Sequence, residues 1–215
     1  MTSAPRTPSA IDTVADEWVD TIAVLAPTLG TYIGRDEAND RFGDLSPAGH
    51  EEVASATRKT LAKLSALEPT DAIDEVTKTD LSAELSLDLE LHDAKWHLRD
   101  LNVIASAAQD VRSAFDLMPT ATADDWAVIA TRLAAVPEAL RGYTETLRTG
   151  IAAGVTPARR QVVEVATQID RYTADDGFFA AFVAEAAPEE GNLPASLART
   201  LADNSAAARV AYDEL

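Results

Sequence analysis

Only three histidines, His50, His92 and His97, are available in this 215-residue chain to move protons or bind a metal near neutral pH. With no cysteine there is no thiol nucleophile, no disulfide framework and no thiolate zinc site. A zinc-peptidase helix needs two histidines four residues apart, with a glutamate after the first. His50-Glu51-Glu52-Val53-Ala54 begins that way and fails, because Ala54 stands where the second histidine is required. On a continuous helix His92 and His97 lie about 140° apart, so the spacing leaves them unable to share an ion. A di-iron bundle needs glutamate three residues before histidine on two helices, and Pro47, Leu89 and Ala94 occupy those places. Neither a Gly-rich phosphate loop nor a Gly-x-Ser-x-Gly elbow occurs.

What remains is one unusual stretch, Asp80 to Leu101, within a helix expected over about Asp74 to Asp100. At about 100° per residue, Leu81, Leu85, Leu89 and Trp96 form one apolar stripe. Leu87, Leu91, Ala94, Leu98 and Leu101 form a second. Between them runs a polar seam of Glu84, Asp88, His92, Lys95 and Arg99. Two stripes predict packing on two sides, which makes the helix a central element. The seam then either pairs internally or opens onto water in a groove, because unpaired buried charge is costly. The commoner arrangement is a ladder of side-chain pairs such as Asp88 to His92. The sharper one makes these five residues the lining of a cleft, with Asp88 and His92 as a proton-transfer pair.

The elements that must position this seam are helical almost throughout. Ser9 caps a helix to about Leu25, and Ser46-Pro47 opens another to about Leu67. The stretch from Leu101 to about Ala123 is poorly periodic, with one short helix near Val111 to Leu117. Thr122 starts a helix, Pro137 begins the next, and Gly154 stops it. Thr156-Pro157 opens a helix to about Tyr172. Phe178, Phe179 and Phe182 mark a short core helix, and a final one runs from Leu193-Pro194 to Leu215, still amphipathic at its last residue. No alternating β-branched run is bounded by hairpin turns. The expectation is an all-α, multi-helix elongated bundle of about eight or nine helices without a sheet. Residues 1–9 read as a disordered leader and 10–215 as a single helical domain. A net charge of −18 argues against nucleic-acid and anionic-membrane partners. The absence of a signal sequence or apolar span predicts a cytoplasmic protein.

The order of several segments resembles the N-terminal part of a bacterial family, domain of unknown function 885. They include Ala15-Asp-Glu-Trp18, Pro27-Thr-Leu-Gly-Thr-Tyr-Ile-Gly34, Asp40-Arg-Phe-Gly-Asp-Leu-Ser-Pro47 and Leu89-Glu-Leu-His92. His97-Leu-Arg-Asp-Leu-Asn102, Leu117-Met-Pro119, Leu133-Ala-Ala-Val-Pro137 and Leu147 to Arg160 continue the likeness, which spans about residues 10 to 200. The resemblance implies a zinc metallopeptidase-like protein at least twice this long, with its zinc helix in a C-terminal half. None of that family's metal ligands has a counterpart here, so no cofactor is expected in this chain and zinc only in the missing half. On this reading the chain is an N-terminal, cleft-forming part, inactive alone, and its partners are that half and a peptide substrate. The rival expectation is a self-standing acidic helical module for protein interaction.

Overall fold

A computed structural model of the chain describes residues 6–189 and 191–215. The elements are α1 (Ala10–Leu25), α2 (Pro27–Tyr32), α3 (Pro47–Ser65), α4 (Ala72–Asp93), α5 (Ala107–Ser113), α6 (Ala123–Ala153), α7 (Arg159–Thr173), α8 (Phe178–Ala184) and α9 (Ala195–Glu214). The protein is all-α, and among the described residues there is no strand. The helix starts follow the side chains that cap them. Ser9 and Asp12 form a capping box, Ser46 precedes Pro47, Asp71 accepts from Ile73 and Asp74, and Thr122 pairs with Asp125.

Of the leader expected over residues 1–9, residues 1–5 lie outside the described residues. Arg6 is held by Asp12, Asp71 and Asp74. Asp74 is fully buried and takes hydrogen bonds from the Ser9 and Thr70 hydroxyls and the Thr70 amide. Those bonds, the Ser9 hydroxyl foremost, hold its carboxyl down to about 2.

Two apolar clusters organise the bundle. The smaller joins α1, α3 and α4 through Ile11, Val14, Leu64 and Leu85. The larger is built on α6, whose Trp126, Ile129, Leu133, Val136, Leu140 and Tyr143 recur at three- and four-residue steps and are all buried. Against this stripe dock α9, with Leu201, Ala208 and Tyr212, and α8, with Phe179. The amphipathic end of the final helix is therefore a docked face.

Two boundaries differ from the sequence reading. Pro137 does not begin a helix but sits inside the 31-residue α6. Proline removes only its own N–H bond to the fourth residue before it, and the buried Leu133, Val136 and Leu140 on both sides carry the helix through. The helix expected to reach Asp100 ends at Asp93.

α6 also anchors the two segments that flank the seam. Its Thr146 hydroxyl donates to the Leu45 carbonyl at 2.7 Å, and a Cβ at Gly142 would come within 2.9 Å of the Ser46 amide. Both contacts fix the loop that opens α3. Beside Gly142, the Tyr143 hydroxyl donates to the Asp100 carbonyl at 2.5 Å, and one turn past Thr146 Gly150 lies flush against the Leu98 backbone. Alanine in place of a mid-helix glycine ordinarily stabilises by about 1 kcal/mol. Here the new methyl would collide with the carbonyls of Leu98 and Val155. Gly150→Ala is therefore expected to lower stability by about 1–3 kcal/mol in urea unfolding, the reverse of the helix-propensity sign.

Candidate functional site

The chain reverses where α4 stops. Lys95 takes a left-handed backbone, φ 58°, the only positive φ at a non-glycine among the described residues. The Ala94 amide returns to the Glu90 carbonyl and the Lys95 amide to that of His92, closing the helix end. A short 3-10 turn, Trp96–Arg99, follows and is pinned to α6 by buried Leu98.

This reversal overturns the helical-wheel geometry of the last seam residues. His97 swings back over the end of α4 and stacks on His92, with ring centroids 4.8 Å apart and planes 12° from parallel. Its other side meets His50 in the first turn of α3, again at 4.8 Å. All three histidines of the chain thus form one cluster, with His50 tilted by 31° against His97. The pairing expected between Asp88 and His92 is replaced by another: His92 Nε2 lies 3.0 Å from Glu51 Oε2. Arg58 holds the same glutamate at 2.8 Å. Arg58 first, then His92, hold the Glu51 carboxyl below its usual range.

The stack borders a cleft of about 250 Å³ between α3 and α4. Val53, Ala54, Thr57 and Leu89 line it together with the three imidazoles, Asp88, Leu91, Trp96 and Asp100. Burial, and next the proximity of His97 and His92, push the His50 ring down from 6.5 to about 4. His97 is lowered by burial and by His92, and its Nδ1 is buried without a hydrogen-bond partner. Burial raises both cleft carboxyls, with Glu84 adding to Asp88 and an Asn102 hydrogen bond opposing the rise at Asp100. The cleft therefore brings together three imidazoles, two acidic side chains and an indole.

Of the five expected lining residues, Asp88 and His92 reach the cleft. Glu84 acts on Asp88 from one turn away. Lys95 sits exposed at the reversal, and the Arg99 guanidinium covers the Trp96 ring at 4.6 Å. The sequence reading missed His50, His97 and Asp100, and placed Trp96 in a packed stripe although it is 46% exposed. The expected central position of the helix is also corrected. Leu85 is buried, but Leu87 and Leu91 are 49% and 40% exposed. The second stripe packs on the core only beyond the reversal, at Leu98 and Leu101.

Among the described residues, no group of three or more His, Asp or Glu side chains is placed to hold a metal ion. Among the same residues no helix is long and apolar enough to cross a membrane.

A lysine in the left-handed region costs about 1 kcal/mol that glycine does not incur. Lys95→Gly is accordingly expected to raise stability by about 0.5–1 kcal/mol in urea unfolding. In an uninterrupted helix the same change would lower it by a similar amount.

A search of the curated proteins finds no match to this chain. A family model described as "Bacterial protein of unknown function (DUF885)" matches residues 27–215. The chain belongs to that family.

Proposed function

We propose, from this membership and from the cleft, that the chain forms one wall of the substrate cleft of a zinc-dependent, peptidase-like protein and is not catalytic alone. The observation that carries the reading is the equipment of the cleft. Asp88 and Asp100 offer acceptors, Leu91 and Trp96 offer half-exposed apolar surface, and the hydroxyl that lines the cleft, on Thr57, donates to the Val53 carbonyl. Such a wall suits holding a peptide: carboxylates accept from backbone N–H groups or a terminal ammonium, and the indole packs a side chain. The metal chemistry belongs to the C-terminal half that the family resemblance implies, and no residue of this chain is assigned to it. That half is the proposed partner, and a cytoplasmic location goes with this reading.

The isolated chain is expected to hydrolyse no peptide, with or without added zinc. A short peptide with a free N-terminus should shift the NMR signals of the His92 ring and the Trp96 indole. Asp88→Asn should weaken this binding about 3- to 10-fold, because the amide keeps a carbonyl acceptor and loses only the charge. Turnover by the chain alone, or unchanged cleft signals at millimolar peptide, contradicts the reading.

One feature favours the second reading, an acidic helical interaction module. Ile73, Val76, Leu87 and Leu91 leave an uncovered stripe along α4, at 40–60% exposure, flanked by Glu84, Asp88 and Glu90. Its chemistry fits an amphipathic helix with basic flanks. Replacing Ile73 and Leu87 by serine separates the readings, because neither residue lines the cleft. The change would abolish docking of a basic amphipathic peptide and leave cleft binding intact.

A further inference from the structure

We propose that the contact between His50 and His97, beside His92, is a proton-operated clasp: neutral, the two rings hold the start of α3 against the reversal after α4, and charged, they let the reversal go and open the cleft. The geometry supplies each part. His50, His97 and His92 come from three separate segments, the first turn of α3, the 3-10 turn and the last turn of α4. His97 is the middle ring, with a neighbour on each side at 4.8 Å. Two imidazolium rings at that separation repel, in a junction where burial already weakens screening by water.

The charged groups around the stack do not remove this repulsion. Glu51 faces His92 but is shared with Arg58, which also reaches toward Asp93 at 3.7 Å. Asp44, in the loop before α3, acts on His50 from a distance and is outweighed there by burial and by the other two rings. Asp88 of α4 and Asp100 beyond the reversal border the same cleft. Lys95 is exposed, Arg99 lies on Trp96, and α6 meets the reversal through Tyr143 and Gly150.

The sign follows from linkage. The closed form holds His50 at about 4 and His97 below 6.5, whereas the opened rings return toward 6.5. The opened form binds more protons, so the clasp is fully engaged above about pH 6.5 and is lost as pH falls through about 4. The hinge is the left-handed Lys95, where the backbone already carries strain.

The clasp deepens the cleft-wall reading, on which it rests only for its consequence that acid opens the peptide site. Its test reads backbone protection rather than peptide binding, so the two can fail separately. Amide hydrogen exchange of the full chain is compared at about pH 7 and pH 4, each corrected for the intrinsic chemical rate. The segment from Ala94 to Asn102 is expected to exchange about tenfold or more faster at the lower pH while α6 stays protected. His97→Phe, which keeps an aromatic ring between its neighbours but cannot titrate, should reduce that difference. His50→Gln, which removes the ring that burial holds lowest, should abolish most of it. Protection at 94–102 that is unchanged by acid overturns the clasp. So does its loss together with α6, or an acid response in His97→Phe equal to that of the parent chain.

Discussion

One face of α6 holds the rest of the site in place. Gly142, Thr146 and Gly150 follow at four-residue steps, with Tyr143 beside them, and each meets backbone from a segment distant in sequence. Residues near the middle take the loop that opens α3, and the neighbouring positions take the turn after α4. A helix surface of two glycines and two hydroxyls lets backbone approach closely and satisfies carbonyls that burial would otherwise leave unpaired. The adjoining face of the same helix, which Tyr143 shares, packs in the larger apolar cluster, so the strength of that core is passed directly to the two loops.

With those loops fixed, the end of α4 has little freedom. Continuing the helix past Asp93 would carry Leu98 and the Asp100 carbonyl away from α6. Burial of Leu98 and Leu101 and the hydrogen bond from Tyr143 outweigh the roughly 1 kcal/mol that a left-handed lysine costs. The cluster of histidines is a consequence of that balance. Each ring belongs to a segment positioned for other reasons, and their meeting borders a small cleft.

The fold was legible in the sequence wherever local chemistry and periodicity agreed. Ser9, Ser46 and Thr122 announce their helices, Gly154 stops α6, and the phenylalanines of α8 enter the core as their spacing suggests. Pro137 misled because its cost is local while the buried stripe on either side of it is not. The site was half legible. The seam residues Asp88 and His92 border the cleft, but the seam assumed an unbroken helix. Nothing in Asp93-Ala94-Lys95-Trp96 marks a stop, since glycine, asparagine and proline are all missing. Only tertiary contacts with α6 decide the reversal, and these join residues more than forty positions apart. His50 and His97 were visible as residues and invisible as neighbours.

Under the proposed function, this cleft is a surface for holding substrate rather than transforming it. Its central physical element is the contact among three imidazoles across the reversal, and nuclear Overhauser effects between the ring protons test that most directly. At neutral pH, in protein labelled selectively at histidine, the account predicts cross-peaks from the His97 ring to both His50 and His92. Absence of both, together with helical medium-range contacts running unbroken from Asp93 to Asp100, would contradict it.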